Sequence, residues 1–343
     1  MIRPGVRMQD ELDQAPDAVR RQSGAIEGPL RDLVSQLHRR PPDFVITCAR
    51  GSSAHAAAFA KHLIERRVGL PVSAFAPNIA TIYRRQLRMK GQLFLAISQS
   101  GRSDDLIESA SMAKAAGALS VAMVNDVESP LARACALVLP LAAGAELSVA
   151  ATKTFVASLA ALLRLTCAWT NDSTLAGAVE RLPERLAAAA QLDWRAALGA
   201  LQEAASLVTI GRGPTLAIAR EAALKLKETC NLHAEAFSSA EFQHGPVALV
   251  ETSYPLLLFV PTDAACESVL YVAADLRRKG AQVLLASPEP GAPGRLPALI
   301  PDHPETDAVC LIQSFYAMAV RLAALRGANV DLPRHLRKVT RTR

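Results

Sequence analysis

A spacing of 162 residues recurs three times in this chain of 343. Arg50-Gly51 and Arg212-Gly213 stand that far apart, each behind a short apolar run and each opening an Ala-rich stretch. The same spacing lays residues 93–100 (LFLAISQS) on 255–262 (PLLLFVPT), and 120–125 (SVAMVN) on 282–287 (QVLLAS). One offset in three places predicts a strand–helix plan used twice. The alternative is chance agreement among similar strand–helix units.

The apolar runs fall at 44–47, 93–97, 119–124 and 136–141, then at 207–210, 255–260, 281–286 and 298–300. Continuous rather than alternating apolar strands, separated by helical stretches, predict parallel sheets covered on both faces, an α/β fold. Expected divisions are a helical, polar segment at 1–40, a first domain at 41–172, linker helices at 173–195, a second domain at 196–332 and a basic tail at 333–343. The linker is read as a helix pair around Pro183.

Half of the residues are hydrophobic, so the chain can bury enough surface to offset the entropy of ordering, and disorder is excluded. Aromatics are only 4%, too few for the stacking platforms of single-stranded nucleic-acid binders. The net charge of +6 is concentrated in part at Arg334, Arg337, Lys338, Arg341 and Arg343, a tail that suits a small anion as well as nucleic acid. No two of the six cysteines lie closer than 32 residues, so CxxC metal or redox spacing is absent and they read as core residues of a reducing compartment. The N-terminus lacks an apolar signal region. Residues 155–169, the longest membrane candidate on this reading, contain Arg164 and are too short to span a bilayer. The expectation is a cytoplasmic protein with no membrane and no nucleic-acid partner.

Four places can carry chemistry. Ser98-Gln99-Ser100-Gly101-Arg102-Ser103 follows a strand and precedes a helix, so its hydroxyls and the helix's free amides can cradle a phosphate. It can equally be an ordinary serine-rich cap. Arg50-Gly51-Ser52-Ser53 lies at a second strand–helix turn, with the same two readings. Neither GxxxxGK[ST] nor a full GxGxxG is present. Glu221, Lys225 and Glu228 fall at i, i+4 and i+7, on one helix face: a solvated salt-bridged surface, or an acid/base centre for moving a proton between carbons. His233, Glu235, Glu241 and His244 offer metal-ligand types without metal spacing. His244, before Gly245-Pro246, is expected in a loop and suits acid/base work.

Taken together, SQSGRSDD, ELSVAATKTF, EAALKLKE, HAEAFSSAEFQHGP and the tail DLPRHLRKVT resemble the sugar isomerase (SIS) domain family. Within it the sequence is similar to the isomerase half of glutamine–fructose-6-phosphate aminotransferase and to the SIS-type glucosamine-6-phosphate deaminases. The resemblance implies two flavodoxin-like domains in a homodimer, a sugar phosphate substrate, and no metal or organic cofactor. By resemblance, Ser98, Gln99, Ser100 and Ser103 hold the phosphate. Ser103 stands where the family commonly has Thr. Ser52 and Ser53 bind sugar hydroxyls, and Val149 offers a backbone contact. Glu228 shuttles the proton between C1 and C2 with Lys225 beside it, His244 opens the ring in the neighbouring subunit's site, and Lys338 contacts the open-chain sugar. Ala151 stands where the synthase has Ser, removing one polar contact near the amino group.

Only about 40 residues precede the first expected domain, so no room for a glutamine-hydrolysing domain is expected, and deamination of glucosamine 6-phosphate is favoured over synthesis. The alternatives are a deglycase of fructosamine phosphates, an isomerase of another amino-sugar phosphate, and a non-catalytic sugar-phosphate sensor.

Overall fold

The computed structural model describes residues 6–338. Among the described residues ten strands form two five-stranded sheets. The first contains β1 (Val45–Cys48), β2 (Val72–Ala74), β3 (Leu93–Ser98), β4 (Leu119–Val124) and β5 (Leu137–Pro140). The second contains β6 (Ser206–Gly211), β7 (His233–Ser238), β8 (Pro255–Phe259), β9 (Gln282–Ser287) and β10 (Arg295–Pro297). Every strand pairing is parallel.

The strand orders are β2-β1-β3-β4-β5 and, read from the matching edge, β7-β6-β8-β9-β10. These are one flavodoxin-like plan drawn twice, an α/β fold as the apolar runs require. The order reverses between β1 and β3, and again between β6 and β8. At such a point the loops leaving the strands diverge and leave a crevice beyond the carboxyl ends. Arg50–Ser53 and Ser98–Ser103 are the two loops that flank it in the first sheet. Gly51 and Gly213, 162 residues apart, take φ of +53° and +55°. That left-handed turn, open to glycine at little cost, sends the chain from strand into helix at the same point of both copies.

Two compact units contain these sheets. The first comprises Asp17–Glu146, Lys153–Glu180 and the described residues from Arg337. The second comprises the described residues up to Pro16, Leu147–Thr152 and Arg181–Leu336. In the first, β1 and β3 are wholly buried. The long helix Ala15–Arg39 is less polar in effect than its composition suggests: Val19, Ile26, Leu33 and Leu37 are all buried on one stripe. Within this helix Gln22 donates to the carbonyls of Leu141 (2.9 Å) and Ala157 (2.8 Å). In the second unit the helices Pro214–Cys230 and Pro304–Leu325 meet, with Tyr316 fully buried between them and neighbouring groups.

The structure corrects several readings. The tenth strand lies at Arg295–Pro297, not at 298–300. β2 and β7 were not anticipated, because both are edge strands that lack a continuous apolar run. The expected helix pair around Pro183 is one helix, Ser173–Ala189. Leu175, Val179, Leu182 and Leu186 are buried along it, and that continuous apolar stripe outweighs the hydrogen bond Pro183 removes. Among the described residues one helix, Pro304–Leu325, is long and apolar enough to cross a membrane, rather than 155–169. Its residues from Glu305 through Ala319 are all buried, as in a core helix.

Candidate functional site

In the first unit the loop after β3 is built by its own serines. Ser98, buried, accepts from the Gly101 amide at 3.1 Å, and Ser100 accepts from the Arg102 amide at 3.3 Å. Gly101 has φ +63°, and a Cβ there would lie 2.1 Å from Ser129 Oγ. The loop carbonyl of Gly101 accepts from the Leu131 amide at 3.1 Å. Gly101→Ala should therefore lower the unfolding free energy by about 1–3 kcal/mol, through clash and a strained φ. A denaturant midpoint equal to that of the parent would show that the loop relaxes freely.

Ser103 occupies the N-cap of the helix Asp104–Ala115, in extended geometry, yet its hydroxyl makes no capping hydrogen bond. A helix of this length exposes first-turn amides with partial positive charge, a ready anion site. The capping alternative for Ser103 thus does not account for its hydroxyl. The loop after β1 follows the same logic: the helix Gly51–Leu63 starts at Gly51, and its N-cap residue Arg50 makes no side-chain capping hydrogen bond. Arg50, its N-cap residue, reaches across to Asp105, with Nε and Nη2 each 2.8 Å from Asp105 Oδ2. Ser52 and Ser53 lie in that first turn, half-buried.

Lys338 also belongs to the first unit. Its Nζ lies 3.9 Å from Oε2 of the buried Glu146. The other oxygen of Glu146 accepts from the Thr154 amide at 3.1 Å, at the start of the helix Lys153–Thr170. A carboxylate is favourable there because it meets the positive end of the helix.

In the second unit the helix Pro214–Cys230 carries the charged triplet. The solvated-face alternative is excluded: Glu221 and Lys225 are 0% and 1% exposed. Lys225 Nζ lies 3.4 Å from Glu221 Oε1 and 2.5 Å from Glu228 Oε2. Tyr316 donates its hydroxyl to Glu221 Oε1 at 3.0 Å. Burial works to lower the Lys225 titration point, but the charges of Glu221 and then Glu228 outweigh it and hold it above the ordinary lysine range. Glu228 differs from its neighbours in access, with its side chain 22% exposed. The arrangement is a fixed ammonium, one sealed carboxylate and one reachable carboxylate, which is the layout a proton-moving base needs.

The remaining candidates lie on other elements than the helix that carries the triplet. Val149 lies in the Leu147–Thr152 segment of the second unit, where the Glu11 carboxylate accepts from the amides of Leu147 and Ser148. His244 is exposed, at the end of the short helix Ser239–Gln243, on a turn as its Gly-Pro context suggests. No described hydrogen bond links its ring to Glu228. His233 and Glu235 point outward from strand β7, while Glu241 accepts from Ser238 Oγ at 3.0 Å, part of a helix cap. Among the described residues no three His, Cys, Asp or Glu side chains cluster to hold a metal.

The duplicated loop has diverged. Thr262, which matches Ser100 at the 162-residue offset, gives its hydroxyl to Asp307 at 2.7 Å, and Arg185 holds the same carboxylate at 2.8 Å. At this loop of the second sheet the partner of the hydroxyl is the chain's own carboxylate.

The SIS domain family matches residues 42–168 and 200–325. The glutamine–fructose-6-phosphate aminotransferase (isomerizing) of Zymomonas mobilis is 31% identical over 96% of this chain. The chain spans 58% of that relative's length. A candidate phosphosugar isomerase of Silicibacter pomeroyi DSS-3 is 43% identical, with a TM-score of 0.91 and coverage of 95% of this chain and 99% of the other. The C-terminal domain of the glucosamine–fructose-6-phosphate aminotransferase of Francisella tularensis gives 26% identity, a TM-score of 0.83 and coverage of 95% and 98%.

Proposed function

The chain belongs to the SIS domain family, and from that premise we propose that it is a phosphosugar isomerase-type enzyme that deaminates glucosamine 6-phosphate to fructose 6-phosphate and ammonia. The observation that carries the reading is Glu228: a reachable carboxylate held 2.5 Å from a fully buried lysine whose own charge is balanced by Glu221. The Ser98–Ser103 loop, with its uncapped helix, is the complementary support, since it offers amides and hydroxyls to a phosphate.

In this reaction Ser98, Gln99, Ser100 and Ser103 hold the phosphate, and Ser52 and Ser53 meet sugar hydroxyls, with Val149 offering its backbone. His244, exposed on its turn, assists ring opening in the site of a second copy of the chain within a homodimer. Glu228 takes the proton from C2 of the open-chain amino aldose and returns it to C1, while a proton passes from the nitrogen to O1, which leaves a C2 imine. Water adds to C2, the C–N bond breaks, and ammonia leaves with the proton it needs. Lys225 keeps the Glu228 carboxylate in place, and Lys338 steadies the open chain. Positioning and proton transfer supply the acceleration, the latter worth about 10²–10⁴-fold. The setting is cytoplasmic.

Incubation with glucosamine 6-phosphate, without glutamine, should release ammonia and fructose 6-phosphate in equal amounts. Galactosamine 6-phosphate and a fructosamine phosphate, assayed as a panel in the same way, should be turned over at least tenfold more slowly, about 1.4 kcal/mol of discrimination. Ammonia from a different member of that panel alone would replace the substrate assignment, and release from none would remove the deaminase reading.

A further inference from the structure

Arg50 carries a constraint that the serine loops do not explain. It leaves β1 two residues past Cys48, and its guanidinium binds Asp105 through two nitrogens, both 2.8 Å from one oxygen. Asp105 is 2% exposed and sits in the first turn of the helix that opens at Ser103. Its other oxygen, Oδ1, is buried with no hydrogen-bond partner. A buried carboxylate held on one oxygen alone is costly, so it needs its counter-cation in a fixed place. The Arg50 side chain, by contrast, is 53% exposed, and no described residue engages its Nη1. The guanidinium is therefore anchored along one edge and open along the other. β1 and β3 are neighbours, Cys48 beside Ala96, so the anchored arginine stands at the switch point between the two serine loops.

An Arg fork with one edge fixed matches an oxyanion pair better than a flexible lysine does, because little rotamer freedom is left to lose. We propose that Arg50 is a direct ligand of the substrate phosphate and that Asp105 is the buried post that positions it. The inference rests on the sugar-phosphate reading of the site and adds a cationic ligand to its serines. Asp105 acts only through Arg50, so its loss matters only while Arg50 is present.

The test measures inorganic phosphate binding by calorimetry, together with KM and kcat for glucosamine 6-phosphate. Arg50→Ala should weaken phosphate binding and raise KM about tenfold, as loss of one charge-assisted hydrogen bond implies, with kcat within about twofold. Arg50→Lys, which keeps the charge and guards against misfolding, should fall between. Asp105→Asn should raise KM by a smaller factor. Arg50→Ala combined with Asp105→Asn should be no worse than Arg50→Ala alone, the non-additivity of residues acting as a unit. Wild-type binding of phosphate with an unchanged Arg50→Ala constant overturns the inference while leaving the proposed function standing. Additive losses, or a fall in kcat without a change in KM, also overturn it. Wild-type protein that binds neither phosphate nor glucosamine 6-phosphate overturns the sugar-phosphate reading and this inference with it.

Discussion

Glu228→Gln should lower kcat for ammonia release from glucosamine 6-phosphate by about 10²–10⁴-fold, the range for removing a general base. KM should move by less than about threefold, because the amide keeps the volume and the loop that takes the phosphate is untouched. The substitution is mild structurally: the Glu228 side chain is 22% exposed, and Glu221 still faces Lys225 at 3.4 Å. Far-ultraviolet circular dichroism and the thermal midpoint should thus stay close to the parent's. Near-normal turnover would remove Glu228 from the chemistry. A fall in kcat matched by loss of folded protein would show a structural role instead.

Lys225→Met is expected to have the larger effect on stability. The lysine is 1% exposed and Glu221 is 0% exposed, so the substitution removes the ammonium from a buried carboxylate that also accepts from the Tyr316 hydroxyl at 3.0 Å. Breaking a buried pair this way costs about 3–5 kcal/mol. The urea midpoint should fall accordingly, with an unchanged slope. Lys225→Met combined with Glu221→Gln should regain part of the loss, since no buried charge is then left unpaired. The pH dependence has a definite sign. The lysine is held above its ordinary value in the fold, so its contribution is fully present below the unfolded lysine's titration point. It is lost as the pH rises through the higher folded value. A loss under about 1 kcal/mol for Lys225→Met would mean that water reaches the triplet.

The 162-residue offset was enough to read β1, β3 and β4 against β6, β8 and β9, because these central strands are covered on both faces and so carry unbroken apolar runs. β7 escaped for the opposite reason: its first three residues alternate exposed, buried, exposed at an edge. The offset itself fails at the far edge. β5 begins at Leu137 and β10 at Arg295, a spacing of 158, so aligning by apolarity overshot the strand. Pro183 misled because a local rule about proline was set against a buried stripe that only the packed structure reveals. At the site, the i, i+4, i+7 spacing put Glu221, Lys225 and Glu228 on one face, but whether that face met water depended on Tyr316, 95 residues away from Glu221. The pairing of Arg50 with Asp105 left no trace in the sequence, since it follows from two strands lying side by side.

All three members of the charged triplet ride on one helix, Pro214–Cys230, and this has a consequence for how the chain can change length. Each residue of an α-helix turns the next by about 100°. Deleting or inserting a single residue between Lys225 and Glu228 would swing the carboxylate about a quarter-turn out of phase with its ammonium. The same edit in the stretch 83–88, which is wholly exposed, would disturb only surface contacts such as the Arg84–Glu108 ion pair. Length variation among descendants of this chain should therefore collect in that stretch and be purged from the helix, where a reading-frame-preserving indel is as damaging as losing Glu228 outright.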